Sequence, residues 1–221
     1  MEYKPVVIEV DSIISAGKTT FINEYLAPFL RERGLKVAIV DEPIDEWKKD
    51  IFPLYCENPQ RWAYHFQTIA YLTRAMKINR AYELYGNKSD VIILDRGGLA
   101  DEIFMGVQFE MGNVVRMEFD HYTLWRELWT KIVPISPNLY IYLNPPINEA
   151  MKRLRTRNRQ GEEGITTQYQ QLLKDKHDEL FREGNPKLQG ARVFEFDNET
   201  FDYTTLLNDV VKYINTLTKS F

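Results

Sequence analysis

The stretch VDSIISAGKTTF, Val10 to Phe21, decides how the rest of the chain is read. It closes on Gly17, Lys18 and Thr19, the end of the phosphate-loop pattern G-x-x-x-x-G-K-[ST], but Ser12 stands where that pattern has its first glycine. An apolar run, Val6 to Val10, precedes it, and a stretch of helical period from Thr19 to Arg33, closed by Gly34, follows. Strand, loop and helix in that order let successive backbone N–H groups point at phosphate oxygens, with the positive end of the helix dipole behind them. In such a loop Lys18 reaches the β- and γ-phosphates and the Thr19 hydroxyl holds Mg²⁺. If the first corner requires a positive φ, Ser12 costs about 1–2 kcal/mol relative to glycine. If it does not, the serine is nearly free and its hydroxyl is available to the loop or to a phosphate.

Outward from the loop, short apolar and β-branched runs recur at Val6–Val10, Lys36–Val40, Val91–Asp95, Leu139–Leu143 and Arg192–Phe196. Segments of helical period separate them, among them Pro59 to Tyr85 closed by Gly86, Leu99 to Val133, and Pro146 to Arg157. This alternation predicts an α/β fold with a five-stranded parallel sheet flanked by helices, in one domain spanning 1–221. Ligands of such sheets sit beyond the carboxyl ends of the strands. Those ends carry the phosphate loop, then Asp41-Glu42-Pro43, then Asp95-Arg96-Gly97-Gly98, then an arginine-rich helix, then Asp197 to Phe201.

The bulk numbers narrow the class. The 221 residues carry 28 basic and 32 acidic side chains, a net charge of −4, so a general polyanion-binding surface is not expected and no nucleic-acid partner is implied. Phosphate chemistry must then use local clusters of Arg and Lys. One cysteine, Cys56, leaves no intramolecular disulfide and no multi-cysteine zinc site, as suits a reducing, cytoplasmic compartment. No secretory layout opens the chain and no apolar run reaches ~18 residues, so no membrane span is expected. His65, His121 and His177 share no metal-ligand spacing.

Glu42 is a carboxylate at a strand end, within reach of the phosphate loop, where phosphoryl transfer needs a base. Arg153, Arg155, Arg157 and Arg159 recur at alternate positions, which spreads them over more than one helix face and suits a lid that wraps an anion. Together with NPQRWAYHFQTIAYLTR (Asn58 to Arg74), DRGGLADEIF (Asp95 to Phe104), RLRTRNRQGEEGI (Arg153 to Ile165) and DNETF (Asp197 to Phe201), these motifs make nearly the whole chain resemble the deoxyribonucleoside kinases.

The resemblance implies a P-loop kinase fold with a short arginine-rich lid at about 153–165. It implies transfer of the γ-phosphoryl group of ATP or another nucleoside triphosphate to the 5′-hydroxyl of a deoxynucleoside, with Mg²⁺. Carried over by motif, Glu42 matches the base, with Arg96 beside the hydroxyl and Lys18 on the phosphates. Ser15, Ala16, Gly17, Lys18, Thr19, Thr20, Arg153, Arg157, Arg159 and Phe201 match the ATP site, and Thr19 and Asp95 the metal site. Trp47, Tyr55, Phe66, Gln67, Ala70, Arg74, Asp101 and Glu162 match the substrate site, with Tyr55 and Glu162 on the sugar 3′-hydroxyl and Gln67 on the base edge. Asp95 stands where the family usually has glutamate. Ala70, Arg74 and Asp101 together match members that prefer deoxycytidine or a purine deoxynucleoside over thymidine. The apolar and aromatic residues of Pro59–Tyr85 and Leu99–Val133 fit the helix-to-helix homodimer that the family implies. A deoxynucleoside monophosphate kinase and a non-catalytic nucleotide-binding subunit remain the alternatives.

Overall fold

The computed structural model describes residues 4–132, 136–158, 162–182, 184–197, 199 and 202–218. Its centre is β1 (Val6–Ser12), buried along its whole length. On one side β1 pairs with β3 (Val91–Asp95), which pairs with β2 (Val37–Val40). On the other it pairs with β4 (Leu139–Leu143), which pairs with β5 (Arg192–Phe196). All four pairings are parallel, in the order β2-β3-β1-β4-β5. A parallel strand needs a crossover before its neighbour, and helices supply those crossovers here.

The first crossover is one helical rod made of α1 (Lys18–Thr20), a π-helical stretch Phe21–Leu26, and α2 (Ala27–Arg31). Phe21, Ile22, Leu26 and Leu30 of this rod pack with Val6, Ile8 and Val10 of β1 on one face of the sheet. The last helix, α10 (Thr204–Thr218), adds Leu206, Leu207, Val210 and Ile214 to that layer. After β2 come α3 (Ile44–Trp47), α4 (Ile51–Glu57) and the long α5 (Pro59–Tyr85). Helix α5 begins where Pro59 presets the first turn and the Asn58 side chain accepts Arg61 N–H at 3.1 Å. Its Ile78 and Ala81 cover Val7, Ala38, Val40, Ile92 and Leu94 on the opposite face of the sheet.

Helix α6 (Gly98–Glu110) and α7 (Arg116–Ile132) replace the single segment expected from Leu99 to Val133. The chain breaks between them because Gly112 adopts φ 74°, a left-handed turn that a helix cannot contain. Residue 133 of the expected segment lies outside the described residues. Helix α8 (Ile147–Arg157) ends at Asn158, itself left-handed with φ 44°, and α9 (Thr167–Leu180) starts where the Thr166 hydroxyl accepts Tyr169 N–H at 3.1 Å. Leu173, Leu180 and Phe181 then pack with Ile103 and Val107 of α6 against Tyr140 and Tyr142 of β4. No helix among the described residues is long and apolar enough to cross a membrane.

The strand period places Glu9 and Asp11 on the face that carries α5, α6 and α9, and both carboxyls are buried. Glu9 lies so close under the turn after β3 that a Cβ added at Gly97 would sit 2.6 Å from its carboxyl carbon. Burial, helped by the charge of Asp11, pushes the Glu9 pKa up to about 8. Asp11 goes the other way: burial works against its charge, but His177 and Arg96 outweigh it and hold its pKa at about 2.

The raised pKa has a stability consequence with a definite sign. Folded Glu9 keeps its proton up to about pH 8, whereas in the unfolded chain it ionises above about 4.5. Its stabilising contribution is therefore complete below pH 4.5 and is lost, at about 1.4 kcal/mol per pH unit, as the pH rises toward 8. Glu9→Gln mimics the neutral acid. Denaturant melts should show the variant gaining on the wild type by a few kcal/mol between pH 5 and pH 8, and parallel pH profiles of the two proteins would contradict a protonated Glu9.

Candidate active site

The loop between β1 and α1 answers the question posed by Ser12. Ser12 is the last residue of β1, and among the described non-glycine residues only Ser15, Arg96, Asn158 and Gln189 have positive φ. The first corner thus needs no glycine. Ser12 N–H donates to Asp11 Oδ1 at 2.7 Å, and its hydroxyl donates to the Ile13 carbonyl at 3.0 Å. The left-handed positions lie later, at Ser15 (φ 62°) and Gly17 (φ 92°). Lys18 and Thr19 follow. The Lys18 ammonium is buried on Asp95 Oδ1, and Thr19 Oγ1 donates to Asp95 Oδ2 at 2.8 Å.

Arg96 continues from β3 with φ 70°, an unfavourable conformation for a long side chain that only surrounding contacts can hold. Its Nη1 donates to Asp11 Oδ1 at 2.7 Å and to the Ser12 carbonyl at 2.8 Å, while Phe104 of α6 lies 4.7 Å from the guanidinium. These contacts tie the ends of β1 and β3 together. Glu42, just past β2, accepts a hydrogen bond from Arg74 Nη2 at 2.6 Å and has Arg96 Nε at 3.5 Å. Arg74, from α5, also pairs with Asp101 of α6. Burial alone would lower the pKa of Arg74; Asp101 and Glu42 raise it well above the ordinary arginine value, so the buried guanidinium keeps its charge.

Beside these groups opens a cavity of about 240 Å³ that runs from the phosphate loop to the face of α5. The loop residues Ser15, Ala16, Gly17, Lys18, Thr19 and Thr20 line one end. Trp47, Tyr55, Phe66, Gln67, Ala70, Arg74 and Asp101 line the other, with Glu42 and Arg96 between. Phe66 stacks on Tyr55 at 4.7 Å between ring centres, and Trp47 meets Phe66 edge-on at 5.7 Å. Trp47 Nε1–H donates to Thr73 Oγ1 at 2.8 Å, which fixes the indole as a wall. Among the lining or supporting groups not expected as site residues are Phe104, Tyr169 and Gln108, whose amide donates to the Tyr55 hydroxyl at 2.8 Å. All three sit on helices where nothing local distinguishes them from ordinary packing residues.

The arginines expected in the lid separate by face. Arg157 binds both carboxylate oxygens of Glu162 at 2.7 Å, and both residues line the cavity. Arg153 Nη1 reaches the Ala16 carbonyl at 3.0 Å, so it braces the phosphate loop, while Arg155 points to solvent. Arg159 and Phe201 lie outside the described residues. Among the described residues no three His, Cys, Asp or Glu side chains gather as a metal cluster. Yet the Thr19 hydroxyl and the Asp95 carboxylate are hard oxygen donors side by side at the end of a phosphate loop. That donor set fits Mg²⁺, which takes few protein ligands and completes its shell with phosphate and water.

Since the strain sits at Ser15 and not at Ser12, two glycine substitutions should part. Ser15→Gly should raise stability by roughly 0.5–1 kcal/mol, the relief of a left-handed serine less the added freedom of the unfolded chain. Ser12→Gly should lower it by a similar amount, because the strand end loses its side-chain bond to Ile13. Urea midpoints that rank the two the other way would place the strained corner at Ser12.

Residues 8–219 match the family model described as deoxynucleoside kinase. The chain is 29% identical to the probable deoxycytidine kinase of fowlpox virus over 95% of this chain and 88% of that protein. It is 25% identical to deoxycytidine kinase 2 of Gallus gallus, over 97% of this chain and 89% of the relative, and 25% identical to deoxycytidine kinase of Homo sapiens, over 95% and 91%. A family match of this extent, over a parallel sheet whose strand ends carry the phosphate loop, Glu42 and Arg96, places the chain in the deoxynucleoside kinase family.

Proposed function

We propose that this protein transfers the γ-phosphoryl group of ATP to the 5′-hydroxyl of deoxycytidine or a purine deoxynucleoside, in preference to thymidine. The observation that carries the reading is the convergence of Glu42, Arg96 and the phosphate loop on one cavity whose far wall holds the Arg74 and Asp101 pair. Glu42 takes the 5′-hydroxyl proton as the oxygen bonds to phosphorus and the bond to the β-phosphate oxygen breaks. Arg96, held by Asp11 and the Ser12 carbonyl, keeps its remaining donors beside Glu42 for the charge developing there. Lys18 and the loop N–H groups draw the departing charge toward the donor. Mg²⁺, held by Thr19 and Asp95, would neutralise phosphate oxygens.

The base preference rests on Asp101. Its Oδ2 is buried with no hydrogen-bond partner among the described residues, while Oδ1 is taken by Arg74. A free acceptor of that kind suits an exocyclic amine, as on cytosine or adenine, and opposes the carbonyl of thymine. Phe66 and Gln67 both line the cavity; on this reading Phe66 offers a ring face to the base and the Gln67 amide, one donor and one acceptor, takes its edge.

A panel of nucleosides and nucleoside monophosphates with Mg-ATP tests the reading. Phosphorylation of deoxycytidine or a purine deoxynucleoside ahead of thymidine is expected, and exclusive use of monophosphates would replace it. Glu42→Gln should keep the bond to Arg74 and nucleoside binding, but lower kcat by about 10²-fold or more. Near-normal turnover in that variant would put the base elsewhere.

The expected partner is a second copy of the chain. Helix α7 buries only Tyr122 and exposes Met117, Leu124, Leu128 and Ile132 along one side, Met117 at 77%. Met76 of α5 is exposed as well. Apolar side chains repeated on one face of a helix call for a cover, and a helix-to-helix dimer supplies it. Leu124→Glu with Leu128→Glu should therefore shift the protein to monomer in light scattering at micromolar concentration, and an unchanged mass would move the interface off α7.

A further inference from the structure

Helix α9 touches the site at several heights. Its first turn carries Tyr169, which lines the cavity, and its last turn carries His177, whose Nε2 lies 3.4 Å from Asp11 Oδ1. Between them Gln170 is fully buried and does not line the cavity. Its side-chain amide meets the backbone of Ile14 in two bonds: Oε1 accepts Ile14 N–H at 3.1 Å, and Nε2 donates to the Ile14 carbonyl at 2.7 Å. An amide set this way does for Ile14 what a neighbouring strand would do, at a point where the chain has left the sheet and not yet entered α1.

The position matters because Ile14 directly precedes the left-handed Ser15. Buried peptide groups need partners, and the direction in which the Ile14 peptide faces limits where the N–H groups that follow can point. We propose that Gln170 is a positioning residue for the phosphoryl donor. It turns both backbone groups of Ile14 toward α9, leaves the later loop N–H groups to the phosphates, and ties the loop to the helix that begins where the lid ends. The strained Ser15 turn then has a fixed anchor on its N-terminal side, as Gly17 and α1 fix the other. This deepens the kinase reading and rests on it.

The test compares Gln170→Met, which keeps length and loses both bonds, with Gln170→Glu, which keeps an acceptor for Ile14 N–H and loses the donor. A buried carboxyl titrates well above its ordinary value, and in its protonated form it again offers one donor and one acceptor in the geometry of the amide. Mg-ATP affinity is read by calorimetric titration, and the KM for the deoxynucleoside by initial rates, at pH 6 and pH 8. Gln170→Met should weaken Mg-ATP binding by roughly tenfold while the deoxynucleoside KM stays within about twofold. Gln170→Glu should bind Mg-ATP weakly at pH 8 and approach the wild type at pH 6. Should Gln170→Met fail to fold, this pH-dependent recovery carries the test alone.

A Gln170→Met protein with a lowered melting temperature but unchanged Mg-ATP affinity would reduce Gln170 to packing and overturn the proposal. So would equal losses for both substrates, or a Gln170→Glu affinity that tracks the wild type at both pH values. A wild type that binds Mg-ATP but phosphorylates no deoxynucleoside would instead overturn the kinase reading, and the titration would still decide the role of Gln170.

Discussion

The buried pair between Asp11 and Arg96 is the constraint on which the rest of the site depends. It joins the carboxyl ends of β1 and β3, and the same guanidinium takes the Ser12 carbonyl at 2.8 Å. Removing one partner of such a pair strands a charge in the interior, at a cost of about 3–5 kcal/mol. The pair therefore holds Arg96 in a left-handed conformation that it would not adopt alone. From that conformation Arg96 reaches toward Glu42 and the phosphate loop reaches its fixed starting point. His177, with Nδ1 at 2.6 Å from the Leu173 carbonyl, closes the arrangement from α9.

Around this pair, the cations of the site are met by carboxylates of the same chain. Lys18 lies on Asp95, Arg157 on Glu162, and Arg74 between Glu42 and Asp101. In a cavity walled by Trp47, Phe66 and Phe104, a lone buried charge would be costly, so each cation is held by an internal anion. The exposures grade the pairs. The side chains of Lys18 and Asp95 are almost closed to solvent, whereas Arg157 is 36% exposed and belongs to the outer rim. In the proposed reaction a triphosphate entering from the rim would compete first with the pair that solvent already weakens. On the proposed reaction the inner pair is met last, where Thr19 and Asp95 lie together.

The sequence reading reached the sheet because parallel strands covered on both faces need continuous apolar runs. Val91–Asp95 and Leu139–Leu143 coincide with the fully buried β3 and β4, whereas Arg192–Phe196, expected as a buried strand too, forms the edge strand β5, none of whose residues is buried, because only one neighbour covers it. Helix α5 coincides with Pro59–Tyr85 because Asn58 and Pro59 mark its start. The failures have a physical pattern. The single helix expected from Leu99 to Val133 divides because composition does not reveal that Gly112 turns left-handed. Glu9 and Asp11 alternate within β1, and two acids two residues apart in an otherwise apolar central strand were a legible sign of buried charge. Gln108, Gln170 and His177 left no local sign, since the partners that tie them to the site, Tyr55, Ile14 and Asp11, stand far away in the chain.

Ser12 shows how a motif and a geometry differ. The pattern asks for glycine at the first corner, yet the backbone there is the end of a strand, with its N–H on Asp11 and its carbonyl on Arg96, and the side-chain hydroxyl donates to the Ile13 carbonyl. What the loop needs is a reversal somewhere between β1 and α1, and this chain makes it at Ser15 and Gly17. A left-handed serine costs about 1–2 kcal/mol, which a few well-formed hydrogen bonds offset. The loop has them on both sides: Gln170 on Ile14 before the turn, and Arg153 on the Ala16 carbonyl with Phe21 N–H on the Gly17 carbonyl after it. Two of these braces come from helices beyond the loop, α8 through Arg153 and α9 through Gln170. The loop's shape is thus held from outside the motif, and the serine at its head is tolerated because the strain was never there.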